Sequence, residues 1–233
     1  MLKRTILFLA VAGSIVSCKQ APDSVEAITG AAQEVPVAEA AISQQVDLSA
    51  SSLEWIGTKL STYHAGTVPI ASGELLVQDG KLLGGSFTIQ MNALQATNMD
   101  EGSNAKLTGH LRSADFFDTE TYPQAVFVIT SVKAYSGGQT DKTNAAEINE
   151  YTVTDPNVMI SGNLKIKDVT NNISFPAKVM VNKSGVDAVA KFNIDRKKWG
   201  IVYPGMPDDL IQDLIWFGVS IKTGTNADMA YVK

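Results

Sequence analysis

The sequence is poor in the groups from which catalytic and metal sites are usually built. Of 233 residues two are histidine, His64 and His110, and one is cysteine, Cys18. A lone cysteine excludes an internal disulfide. The histidines stand far apart without ligand spacing, so a metal would need Asp115 or Asp118 to converge with them. Basic residues are also short: 19 Lys and Arg against 24 Asp and Glu leave a formal net charge of −5. No basic face is visible, which argues against nucleic acid as a partner. After residue 16 no apolar run is long enough to cross a bilayer as a helix.

What is present begins with Lys3 and Arg4, an apolar run from Thr5 to Val16, and Ser17-Cys18. That layout predicts an export signal over residues 1–17. Ile15-Val16-Ser17-Cys18 resembles a bacterial lipoprotein signal, which makes Cys18 the expected lipidation site. Lys19 follows, where an Asp would mark retention at the inner membrane. The expected address is therefore the outer membrane, as a lipoprotein facing the periplasm or the cell surface. Residues 18–43 are mostly Ala, Gln, Glu, Pro, Val and Ser without a sustained period, and are expected to form a flexible tether. Residues 44–233 then make one domain with a sizeable core.

From Val46 onward the dominant period is two, the mark of strands with one buried face. Phe87, Ile89 and Met91 alternate with polar neighbours, as do Val158, Ile160, Leu164 and Ile166. The beat returns at Ile173, Phe175, Ala177 and Val179, at Ala190, Phe192 and Ile194, and at Ile215, Phe217, Val219 and Ile221. Leu53 with Trp55, Leu75 with Val77, and Val126 to Ile129 complete about eight strands. Turn signals at Gln78-Asp79-Gly80, Lys167-Asp168, Asn171-Asn172 and Lys183-Ser184-Gly185 are short, so neighbours run antiparallel. Such a meander ends as a sandwich or as a closed barrel, and closure alone removes the edges. Two stretches break the beat. One predicts a short helix around Asn104 to Leu111, with Leu107 and Leu111 on its inner side; the other, 134–157, reads as a long polar loop.

"GHLRSADFFDTETYPQAVF", residues 109–127, concentrates chemistry-bearing groups. As a catalytic site it is weak. Asp115 and Asp118 would be the acid and base pair, yet they flank Phe116-Phe117, and Asp readily bonds backbone amides in turns. The nearest approach to a nucleophile elbow, Gly84-Gly85-Ser86-Phe87-Thr88, lacks its final Gly and sits in a strand pattern. The segment reads as an aromatic end-plug, with Phe116 and Phe117 sealing one end or also touching a ligand. Pro123 then restarts the sheet where no ladder donor is lost.

The stretches "WIGTKL", "HAGTVPIASGELLVQDGKLLGGSFTIQM", "LTGHLRSADFFDTETYPQAVFVIT", "ISGNLKIKDVTNNISFPAKV" and "AKFNIDRKKWGI" occur in the order of the YceI-like, polyisoprenoid-binding family, which the chain resembles over about residues 46–223. The resemblance implies an all-β fold, an antiparallel eight-stranded lipocalin-like barrel whose interior holds the apolar tail of an isoprenoid lipid. It departs from the family pattern in the longer 134–157 loop and in Asn171-Asn172.

A binding site is then expected to draw on Trp55, Phe87, Ile89, Met91, Phe116, Phe117, Phe127, Ile160, Leu164, Phe175, Phe192, Arg196 and Phe217. Two readings of Arg196 stay open: pairing with a polar or anionic lipid head, or a structural ion pair with Asp195 or Asp115. Trp199 is read as covering a barrel end, and Trp216 as able to do either. No cofactor and no catalysis are expected. The expected partners are an isoprenoid or other long-chain lipid and a membrane reached through the N-terminal anchor, with a homodimer as the candidate assembly. Two rival functions are an envelope enzyme using His64, His110 or the Asp115 and Asp118 pair, and a filled barrel whose long loop binds a protein.

Overall fold

The computed structural model describes residues 21–38, 40–137 and 150–224. The signal 1–17, Cys18 and half of the 134–157 loop, residues 138–149, lie outside the described residues. The alternating stretches become long strands: β1 Ile28–Ala31, β2 Ile42–Gln45, β3 Ser52–Lys59, β4 Tyr63–Thr67, β5 Ile70–Gln78, β6 Lys81–Gln90, β7 Gln95–Ala96, β8 Gln124–Ala134, β9 Val158–Ile166, β10 Val169–Asn182, β11 Gly185–Asp195, β12 Gly205–Met206 and β13 Asp209–Lys222. One α-helix, α1 Glu101–Arg112, interrupts them between β7 and β8.

All thirteen strands belong to one sheet, ordered β2-β5-β6-β8-β9-β10-β11-β13-β3-β4-β7, with β1 on β10 and β12 on β13. Every pairing between named strands is antiparallel. The sheet curls into a half-barrel around an apolar interior. Near residue 46 its margins meet: Val46 bridges Thr223, the Asp47 amide donates to the Lys222 carbonyl at 2.8 Å, and the Thr223 hydroxyl donates to Gln44 Oε1 at 2.7 Å.

The expectation of eight strands is corrected to thirteen among the described residues. All eight stretches with an apolar beat are strands, namely β3, β5, β6, β8, β9, β10, β11 and β13. The additional five, β1, β2, β4, β7 and β12, run two to five residues. Segments that short pair through their backbones and leave little alternation to read.

The turns follow from backbone sterics. Asp79 (φ 51°) and Gly80 (φ 71°) both take positive φ, the geometry of a two-residue hairpin between β5 and β6. Asn171-Asn172 is not a turn, which corrects that expectation: both residues lie inside β10, and the chain reverses at Lys167-Asp168 instead. Asn172 is buried because its amide donates to Thr130 Oγ1 and to Asn163 Oδ1, each at 3.0 Å.

The expected 18–43 tether is corrected in its described part. β10 and β11 pair only over Ala177–Asn182 and Gly185–Ala190, so the first half of β10 and the second half of β11 diverge. The N-terminal segment fills that splay. β1 pairs with Asn171–Ser174 of β10, while the Ala27 amide donates to the Asn193 carbonyl and the Asn193 amide to the Val25 carbonyl, both at 2.8 Å. Ala27 is buried, and Gln33 exchanges two hydrogen bonds with the Asn163 side chain. Low apolar content did not prevent this, because an unpaired strand margin recruits a backbone through its amides and carbonyls.

Candidate functional site: an apolar cavity under the helix

Side chains at alternate positions of the curled sheet point to a common interior. They do not fill it. A cavity of about 430 Å³ remains, within the range of small-molecule sites. All thirteen residues named from the sequence line it.

Its centre is a belt of five phenylalanines from five strands. Phe87 on β6 stacks near Phe127 on β8 at 6.4 Å between centroids, Phe127 meets Phe175 on β10 at 5.9 Å, Phe175 stacks on Phe192 of β11 at 4.1 Å and 12°, and Phe192 meets Phe217 on β13 at 6.2 Å. Glycines on neighbouring strands make the room. A Cβ on Gly73 would stand 2.7 Å from the Phe87 ring, one on Gly66 would stand 2.6 Å from the Trp55 ring, and Phe127 lies over Gly162 in the same way. A bulge in β6 between Leu82 and Gly84 resets the phase, so that Leu82 and, further on, Phe87 and Ile89 all reach the cavity.

Helix α1 covers one end. Asp100 caps it by accepting from the Ser103 amide at 3.0 Å. Arg112 clamps it to the loop after β6 by donating through Nε and Nη2 to the Leu94 carbonyl, at 3.0 and 2.7 Å. Leu107 and Leu111 face the cavity as the spacing predicts, though the helix begins three residues before Asn104. The corner that follows is held by backbone bonds: Phe116 and Asp118 amides donate to the Ser113 carbonyl, Phe117 to Leu111 and Thr119 to Arg112. Phe116 and Phe117 are buried and line the cavity, with His110 and Tyr203 packed edge-on near Phe116.

Asp115 and Asp118 do not supply the side-chain bonds expected of them. Neither carboxylate has a hydrogen bond or ion pair among the described residues, and neither lines the cavity. Asp118 instead takes φ 47°, a left-handed position that Asp tolerates, and this turns the chain. His64 and His110 both reach the cavity wall, but among the described residues no three metal-ligating groups gather.

Arg196 is buried and serves the protein. Nη1 donates to the Ile201 carbonyl at 2.6 Å, Nε to Gln212 at 3.2 Å and Nη2 to Ile211 at 3.4 Å. Its ion-pair partner is Asp213 at 3.4 Å, which corrects the expected Asp195 or Asp115. Asp195 caps the following turn by accepting from the Lys197 amide. Burial lowers the Arg196 pKa from its ordinary value, opposed by Asp213 and Asp195, and the guanidinium also faces the Phe116 ring at 5.9 Å. Trp199 is buried outside the cavity lining, donating to the Leu164 carbonyl at 3.0 Å. Trp216 points to the other face of the sheet, against Tyr151.

The arrangement is therefore an apolar chamber, with few polar side chains in its wall. Comparison with known proteins agrees. Residues 44–223 match the model of the YceI-like domain. The chain belongs to the YceI-like family. Over 91 residues, 39% of this chain and 38% of the relative, it is 32% identical to Protein YceI of Salmonella arizonae, with the same figures for that of Salmonella newport. The aligned part thus spans well under half the length of those curated relatives. The YceI-like fold of this chain is similar to Burkholderia cenocepacia BcnA, at TM-score 0.57 and 17% identity over 76% of this chain and 99% of that one. It is also similar to a polyisoprenoid binding domain from Saccharophagus degradans implicated in plant cell wall breakdown, at TM-score 0.53 and 13% identity over 77% and 97%.

Proposed function

We propose that this protein binds an isoprenoid or similar long-chain lipid without chemically altering it, as a carrier, store or sequestering agent. The observation that carries the proposal is the 430 Å³ cavity ringed by Phe87, Phe127, Phe175, Phe192 and Phe217. Strands of nine to fourteen residues run about 30 Å or more, a wall long enough for a linear tail. Each methylene moved there from water contributes up to about 0.8 kcal/mol, so a partly buried tail binds without charged contacts. Apolar walls select by length and girth, which implies a tolerant site. Membership of the YceI-like family and likeness to a polyisoprenoid binding domain support binding over catalysis.

In this proposal Phe116 and Phe117 plug one end of a lipocalin-like barrel, and Cys18, lipidated after removal of residues 1–17, anchors the domain to the outer membrane. The test is native mass spectrometry of protein purified from a bacterial host without detergent. A copurified lipid of discrete mass is expected; a protein that emerges bare and takes up no added isoprenoid contradicts the proposal.

A further inference from the structure

Four buried side-chain polar atoms among the described residues lack a hydrogen-bond partner. Three of them, Trp55 Nε1, Thr58 Oγ1 and His64 Nδ1, come from one hairpin and belong to residues that line the cavity. Leaving such groups unpaired costs roughly 1–3 kcal/mol each, so their gathering in one hairpin requires a reason. The hairpin register brings Trp55 and His64 together, while Thr58, one residue out of phase with Gly57 and paired with Tyr63, falls on the opposite face. Trp55 pairs with Gly66 and Gly57 with His64, so the indole lies over two glycines and His64 stands diagonally beside it on the same face. Trp55 is more than nine-tenths buried.

We propose that Trp55 and His64 form a polar subsite that holds the uncharged, oxygen-bearing head of the bound lipid, a hydroxyl or carbonyl group. This rests on the lipid-binding reading and specifies its ligand. The indole N–H only donates, whereas the imidazole Nδ1 donates or accepts, so together they match an oxygen that carries lone pairs with or without a proton. Burial and the Lys59 cation keep the His64 imidazole neutral, outweighing Asp209. An anionic head fits poorly. The lysine and the arginine in the cavity wall already face carboxylates, Lys59 with Asp209 and Arg196 with Asp213, both at 3.4 Å. A phosphate there would find neither cation free to neutralise it.

The test offers the full chain equal amounts of phytol and phytane, which share a branched tail and differ in the hydroxyl, and reads the bound ratio by native mass spectrometry. Phytyl phosphate is competed in a second arm. His64→Phe and Trp55→Phe each remove a polar atom and keep an aromatic ring in place. Each is expected to lower the bound phytol-to-phytane ratio about five-fold, the worth of one hydrogen bond. Phytyl phosphate is expected to displace phytol at least about tenfold less well than phytol itself. A ratio unchanged in both variants, or a preference for the phosphate, overturns the subsite while leaving lipid binding in place. If neither phytol nor phytane binds, the lipid reading falls and the subsite with it. Melting curves identify any variant that fails to fold, and the variant that folds decides in that case.

Discussion

Arg196→Met separates two roles that a buried arginine in a lipid cavity can have. The guanidinium donates to the carbonyls of Ile201, Gln212 and Ile211, and the first of these bonds is fully buried at 2.6 Å. Methionine replaces the apolar stem but leaves all three oxygens without that donor. Hydrogen bonds from a charged donor are worth about 1.5–3 kcal/mol each, part of which returns where water reaches the two less buried oxygens. A loss of about 3 kcal/mol is expected, in line with breaking a buried charged network. Asp213→Asn probes the ion pair alone. The Asp213 side chain is 44% exposed and also pairs with Lys197 at 2.8 Å, so its removal costs below about 1 kcal/mol. Equilibrium urea unfolding followed by tryptophan fluorescence measures both. An Arg196→Met protein that unfolds within about 0.5 kcal/mol of the parent, yet no longer binds phytol, would refute the structural role and return Arg196 to the headgroup.

Further outcomes are expected. Ala190→Phe, at a buried position in the cavity wall, fills ligand space; native mass spectrometry should lose the bound lipid while circular dichroism keeps the β signal. Gly162→Val drives a branched side chain into the Phe127 ring and should cost about 1–3 kcal/mol, read as a lower urea midpoint. Deleting residues 21–31 unpairs Asn171–Ser174 of β10, and their amides should exchange with deuterium at least about tenfold faster. His64 has a folded pKa below its ordinary 6.5, so the unfolded chain binds its proton first on acidification. Its stabilising share is fully present above about pH 6.5 and is lost as pH falls through the folded value; His64→Phe should flatten that part of the stability curve, measured by urea unfolding between pH 7 and pH 5.

Alternation made the long strands legible and, with them, most of the cavity wall. Residues such as Phe175 and Phe192 announce their face because one side of each strand is apolar and the other is not. Shorter pieces leave no such mark: β7 is Gln95–Ala96 alone, and β1 is held by backbone bonds in a stretch whose composition resembles a linker. Asn171-Asn172 carries turn chemistry, yet Asn172 finds side-chain partners on β8 and β9 that a local reading cannot supply. The partners of Arg196 were hidden for a related reason, since three are carbonyls that every residue possesses.

The central claim is that the phenylalanine belt surrounds a lipid tail. A crystal structure of the protein, purified from bacteria without detergent and without added lipid, tests it most directly. Continuous tubular density running between the stacked Phe175 and Phe192 pair and Trp55 is the predicted result. Rings of the belt collapsed on one another, closing the space between them, would contradict it.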